Sequence, residues 1–330
     1  MTDVRIYDLG PNQIGRFYRG GKRIAAFRGL PAIGDDAPED WVASTTPVQG
    51  EDDLGLTRLE KGLRLVDVLA RAPEAFFEPA HVARFGGDPT ILIKLLDAGE
   101  RLPVHFHPDD GFAARSLGSP YGKSEAWVVL EAEADASVHL GFARDIAEGE
   151  LAEMVAAQDA DALLGEMNSV PVNAGDSIFV PAGLPHAIGA GILLLELQQP
   201  SDLSLLLERH GMSEAEAFLG LERTAALSAV TRSRLAPRDL DELRARRGAS
   251  LFPPEADRFF RADVVSGGAH FGATFSVLVC YADEGVLMSE SFDPLAVRRG
   301  KTLLVPFAAG ATALTGSCEA IRCRPPGPSA

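Results

Sequence analysis

His105 and His107 stand two residues apart in the segment LPVHFHPDD, the spacing that a chelating pair on a β-strand requires. Successive strand side chains point to opposite faces, so residues i and i+2 project from the same one. Two neighbouring imidazoles offer neutral nitrogen donors to a transition-metal ion. The same pair also fits two polar residues on a wetted strand face, so the spacing alone leaves the metal open. The other histidines lack a partner at ligand spacing. His81, His210 and His270 fall in helical or loop contexts, and His139 alternates with apolar neighbours in SVHLGF, where a structural role is expected.

Two longer patterns favour the metal. Gly99 is followed by five residues and then His105-Phe106-His107. Gly175 is followed by five residues, Pro181-Ala182-Gly183, two more, and His186. These resemble the paired motifs of cupins, G-x5-H-x-H with a downstream Glu and G-x5-P-x-G-x2-H-x3-N, with Ala190 in place of the final Asn. On that resemblance Glu125, at the head of the apolar run EAWVVLE, joins His105, His107 and His186. Three imidazoles and one carboxylate suit a divalent transition metal.

The elements that must position these residues are mostly strands. TILIKLL, LPVHFH, EAWVVLE, SVHLGF, DSIFVPA and ILLLELQ are short apolar or alternating runs, several separated by Gly, Pro or Asp turns. They predict antiparallel strands of a sandwich or jelly roll. LRLVDVLARAPEAFF has helical periodicity broken at Pro73. An Ala- and acid-rich stretch near 144–167 predicts a helical insertion, and a second helical block covers 213–247, with Ser213 and Glu216 spaced as a capping box and Pro237 opening a further helix. Strand texture resumes after Pro253-Pro254, where Gly300 to Pro306 echoes the cadence of Gly175 to Pro181. The tail PPGPSA is expected to be disordered.

A chain of 330 residues has room for one large or two ordinary domains. Its net charge of −16 opposes phosphate backbones and anionic membranes, so neither nucleic acid nor a membrane is an expected partner. A small sugar or sugar phosphate remains compatible, because a few local cations outweigh distant acids. Three cysteines, Cys280, Cys318 and Cys323, without zinc-type spacing predict reduced thiols in the cytoplasm. The start, MTDVRIYDLGPNQIG, has no apolar signal core. A monomer or homodimer is expected.

Around the candidate ligands, HFHPDD, GKSEAW, VPAGLPHAI and LELQQPSD, preceded by EDWVAS (Glu39 to Ser44), follow the order of the signatures of class I mannose-6-phosphate isomerases. LIKLLDAGERL resembles the stretch leading into that family's metal strand. The resemblance covers the first two-thirds of the chain. With the strand pattern, it implies a mainly β fold of two cupin-type jelly-roll domains with helical insertions. The metal-binding catalytic domain would span 1–247, and a smaller second jelly roll without metal ligands 248–330.

The resemblance further implies Zn2+, or another divalent transition metal, and aldose–ketose isomerisation of mannose 6-phosphate to fructose 6-phosphate through a cis-enediol. By motif position the zinc ligands carry over to His107, Glu125 and His186, while His105 stands where the family usually has Gln. Lys123 matches the family's active-site lysine and Glu196 its acidic residue on the following strand. Glu196 is the candidate proton shuttle, and Lys123 the group holding a sugar oxygen or a phosphate. Trp41 is a candidate stacking wall for the sugar ring.

Two positions depart from the family. Pro103 replaces a Ser, and Leu206 stands where the family has an active-site Arg. Arg209 substitutes for that guanidinium if its segment is helical. Loss of these groups opens alternatives: an isomerase of a non-phosphorylated or different sugar, or a non-catalytic sugar-binding cupin. A cupin dioxygenase is a further class with the same ligand set.

Overall fold

The computed structural model describes residues 4–31, 34–246 and 248–327. Residue 247, at the expected domain boundary, and 328–330, in the expected disordered tail, lie outside the described residues.

The fold is mainly β and cupin-like. A six-stranded sheet runs in the order Gln13–Ile14, Glu39–Val42, Leu92–Ala98, Ile192–Gln198, Glu125–Ala132 and Ser177–Val180. A five-stranded sheet orders Leu205–Leu206, His105–Phe106, His186–Ile188, Ser137–Phe142 and Met167–Pro171. The ladders that carry the candidate site are antiparallel. Leu96, Val129 and Leu194 of the first sheet share one apolar cluster with Val138, Leu140 and Ile188 of the second, so the sheets pack face to face.

Strand alternation explains how this sandwich holds charge. On Ile192–Gln198, Leu193, Leu195 and Leu197 face outward into a second apolar cluster, leaving Glu196 on the same side as Ile192 and Leu194. Lys94 shares its face with Leu96, and Glu125 shares its face with Trp127, by the same rule. One end of the sandwich interior is therefore apolar and the other is lined by ionisable groups.

The outward cluster joins the first sheet to a second pair of sheets, through residues such as Val277, Val279, Leu304 and Ile321. That pair comprises five strands, Tyr7–Leu9, Thr302–Val305, Ser276–Ala282, Glu319–Arg324 and Arg261–Ser266, and four, His270–Phe271, Thr312–Gly316, Glu284–Ser289 and Leu295–Arg298. Division of the chain at 247/248 does not separate the sheets cleanly, because Tyr7–Leu9 pairs with Thr302–Val305. Gly175 and Gly300 both adopt left-handed φ, 93° and 86°, at turns feeding strands, which gives the sequence echo a conformational cause.

Helices Glu148–Ala157 and Ala160–Gly165 interrupt the second sheet. Short helices at Glu214–Ala217, Arg223–Leu227 and Pro237–Leu243 follow it, the first capped by Ser213 and Glu216. The tail departs from expectation. Pro325 and Pro326 are buried, and their carbonyls accept hydrogen bonds from Arg261. The three cysteines are buried and unpaired. No helix of the described residues is long and apolar enough to cross a membrane.

Candidate metal centre

His105 and His186 face each other across the ladder of the five-stranded sheet, with ring centroids 4.2 Å apart. His107 follows on the same face, 5.1 Å from His105 and 4.9 Å from His186 by ring centroids. One donor atom from each ring lies within 4.8 Å of the others. Gly183, of the Pro-x-Gly motif, adopts φ 86° and donates its N–H to the His107 carbonyl at 2.7 Å. A Cβ there would lie 2.9 Å from the Thr231 hydroxyl oxygen, so the turn that delivers His186 needs glycine.

Backbone carbonyls set the ring orientations. Nδ1 of His105, His107 and His186 hydrogen-bonds the carbonyls of Pro103, Leu203 and Leu184 at 2.7, 2.8 and 2.8 Å. Each Nδ1 therefore carries the proton, and each Nε2 keeps its lone pair, the arrangement of metal-bound imidazoles. Burial pushes His107 down to about 3 and His105 well below its ordinary value, so both rings are neutral near pH 7. Glu125 lies beside them, Oε2 3.0 Å from His107 Nε2 and Oε1 3.3 Å from His186 Nε2.

His107 Nε2 and His186 Nε2 are buried without hydrogen-bond partners. Buried polar atoms are ordinarily satisfied, and a cluster of orphaned lone pairs is costly unless a cation sits among them. The donor set and its orphaned atoms thus fit a divalent metal held by His105, His107, His186 and Glu125.

Lys123 and Glu196 meet at this site. Lys123 Nζ is 3.1 Å from Glu125 Oε2 and 3.6 Å from Glu196 Oε1. Burial alone would lower Lys123, but Glu125 and Glu196 outweigh it and hold the ammonium above its ordinary value. Burial, then Glu125, raises the Glu196 carboxyl. Trp41 is not a sugar wall. It is fully buried beneath Lys94, whose ammonium lies 4.8 Å from the ring centroid, and its Nε1 donates to Glu39 at 2.6 Å.

Arg209 is also elsewhere. Leu205–Leu206 is a strand paired with His105–Phe106, not a helix, and the chain then turns away. The Arg209 N–H donates to Gln158 at 2.8 Å, and its guanidinium lies 3.9 Å from Glu214. Leu206 itself lines the cleft opposite His105. Asp109 caps the helix at Phe112, and Asp110 accepts from Gly122 and Gln199, so both hold loops.

The cleft contains cations that motif spacing did not single out as site residues. Arg16 enters from the N-terminal segment, donating to both Asp202 oxygens at 3.0 Å and lying 3.4 Å from Glu39. Lys94 lies 3.4 Å from Glu39 and 3.7 Å from Glu196. A lone lysine within the apolar run TILIKLL was a usable signal for Lys94. Arg16 carried none, because its partner is 186 residues away.

The fold and this centre define a cupin-like β-sandwich protein with a buried three-histidine cluster that fits a metal. Within that class, the chain is similar to mannose-6-phosphate isomerases. It is 34% identical over 189 residues to the mannose-6-phosphate isomerase of Streptococcus mutans, an alignment covering 56% of this chain and 54% of that protein. The chain thus spans about half the length of that curated relative. The crystal structure of the mannose 6-phosphate isomerase from Bacillus subtilis superposes with TM-score 0.75 at 22% identity, covering 96% of this chain and 98% of that one. A mannose 6-phosphate isomerase bound with zinc and yttrium gives TM-score 0.74 at 15% identity, over 98% and 100% of the two chains. At these identities the structural likeness establishes the fold. No family model matches the chain.

Proposed function

We propose that the protein is a zinc-dependent aldose–ketose isomerase acting on mannose 6-phosphate or a close relative through a cis-enediol. The observation that carries this reading is the convergence of three buried imidazoles and Glu125 beside the Lys123–Glu196 pair. His105, His107, His186 and Glu125 would hold the metal in the first sandwich, which we take as the catalytic domain, and a bound divalent cation polarises a sugar carbonyl as a Lewis acid.

Isomerisation moves a proton between C1 and C2, so one base must serve both carbons. Glu196 suits this, because burial and Glu125 raise its proton affinity and Oε1 has no hydrogen-bond partner. Lys123 supplies positive charge for the negative charge that develops on the sugar oxygens. Arg16, in place of Arg209, offers guanidinium hydrogen bonds at the mouth. Zinc is favoured over other ions by the nitrogen-rich donor set and by the structural likeness to a mannose 6-phosphate isomerase bound with zinc and yttrium. Three buried, unpaired cysteines fit a cytoplasmic location.

A second reading, isomerisation of a non-phosphorylated sugar, rests on the charge of the cleft. Arg16, Lys94 and Lys123 are each already paired with carboxylates, and Leu206 offers no donor. Zinc-loaded protein assayed side by side with mannose 6-phosphate, mannose and related aldoses tests both readings. Turnover of any of them to its ketose supports the isomerase, and their ratio assigns the substrate. Binding without turnover would leave a non-catalytic sugar-binding protein.

A further inference from the structure

The two walls of the metal-site cleft differ in kind. On the six-stranded sheet Glu196 stands opposite Lys94 in the ladder, with Glu39, Lys123 and Glu125 beside them. The other wall is the inner face of the five-stranded sheet, where the histidines give way to hydrocarbon. Leu206 is paired with His105, so both side chains project to the same side. Ile188 lies two residues beyond His186 on one strand and shares its face. Leu102 and Pro103 complete the patch. The Pro103 carbonyl accepts from the His105 ring at 2.7 Å, and the Leu102 N–H donates to Ile188 at 2.9 Å. Phe17 borders it at the mouth, 37% exposed.

The charges of the cleft are already matched. Among the described residues that border it, Arg16, Lys94 and Lys123 face Glu39, Glu125, Glu196 and Asp202, three cations against four carboxylates. A divalent ion at the histidines turns this deficit of one charge into an excess of one, which the charge building on the sugar oxygens consumes. Nothing remains to neutralise a phosphate dianion. Hydroxyls are scarce as well. Tyr18 donates its hydroxyl proton to Glu39 at 2.7 Å, and Ser204, partly exposed, carries the other hydroxyl among the lining residues. The cleft has about 30 Å3 of free volume, so a sugar enters only by moving side chains. Moving Arg16, Lys94 or Lys123 breaks ion pairs, whereas Phe17 and Leu206 change rotamer without losing one. Room therefore opens on the apolar side.

We propose that this cleft takes a sugar whose end remote from the carbonyl is a methyl group, an aldose of the 6-deoxyhexose class. The proposal deepens the reading as isomerase of a non-phosphorylated sugar and rests on it. Hydroxyls on C2 to C4 face the charged wall, and the C6 methyl group lies against Leu206, Pro103 and Ile188. A 6-hydroxyl there loses its water without gaining a partner, and a phosphate loses more.

The test compares kcat/KM of zinc-loaded protein for 6-deoxymannose, mannose, lyxose and mannose 6-phosphate. Calorimetry adds the affinities for 6-deoxymannitol and mannitol, which cannot isomerise. The 6-deoxy compound should exceed its 6-hydroxy partner by about 10- to 100-fold in both measurements, with mannose 6-phosphate the poorest substrate. Lyxose, which lacks carbon 6, should fall below 6-deoxymannose. Leu206→Ser should bring the 6-deoxy preference close to unity, and the native-chain comparisons stand whether or not that variant folds. Turnover of none of the sugars, with 6-deoxymannitol still the tighter ligand, sinks the isomerase reading and leaves the methyl contact standing. Mannose or its phosphate matching 6-deoxymannose, or lyxose doing so, overturns the proposal and leaves the isomerase reading intact.

Discussion

Arg16 and Asp202 face each other through two hydrogen bonds, both of 3.0 Å, across 186 residues of sequence. This fork closes the mouth of the cleft with a guanidinium whose charge is already answered, since Glu39 lies 3.4 Å from it as well. Arg16→Leu is expected to raise KM about 10- to 100-fold, the worth of one or two charged hydrogen bonds, with a smaller effect on kcat. Mannose and mannose 6-phosphate should lose similar factors in parallel kinetics. A loss confined to the phosphorylated sugar would make Arg16 a phosphate clamp instead.

Glu196→Gln keeps the shape of the side chain and removes its ability to accept a proton. A kcat lower by roughly 100- to 10,000-fold is expected, as for loss of a general base, with bound zinc unchanged. Metal analysis alongside steady-state kinetics checks both parts. Undiminished kcat would reduce Glu196 to a counter-ion for Lys94 and Lys123.

Leu206→Arg places a guanidinium on the strand residue paired with His105. It should raise the preference for mannose 6-phosphate over mannose, measured as the ratio of their kcat/KM values. An unchanged ratio would show that the phosphate of the sugar does not reach this side of the cleft.

Glu39 predicts a pH dependence of stability. Burial would raise its carboxyl, but Lys94 and Arg16, with hydrogen bonds from Tyr18 and Trp41, reverse this and hold it well below 4.5. The folded state therefore stays ionised where the unfolded chain takes up a proton. This contribution is complete above the unfolded value of about 4.3, erodes as pH falls below it, and is gone below the folded value. Glu39→Gln should cost about 3 kcal/mol at neutral pH, the low end for breaking a buried ion pair. The gap between variant and native protein in urea unfolding should narrow below about pH 4.5. A gap independent of pH would contradict the assignment.

The three histidines of the candidate metal centre were legible because each obeys a local rule. His105 and His107 share a face through strand alternation, and His186 follows a glycine turn that its motif encodes. Glu196 was singled out by the family resemblance, which matches it to an acidic residue on the strand after His186. Arg16 and the pairing of Tyr7–Leu9 with Thr302–Val305 were not, because ion and strand partners 186 residues or more apart leave no periodic trace. Arg209 misled because its placement assumed a helical turn, whereas the chain there leaves a two-residue strand. Trp41 misled because Lys94 covers its ring and Glu39 takes its N–H.

The central claim is that the cation gripped by His105, His107, His186 and Glu125 is required for turnover. Returning zinc stepwise to chelator-stripped protein, while following interconversion of mannose sugars with their ketoses, measures this directly. Activity should be absent without metal, rise in proportion to zinc up to one ion per chain, and fail to return in His107→Ala. Full turnover by the stripped protein, or by His107→Ala with no metal bound, would contradict the account.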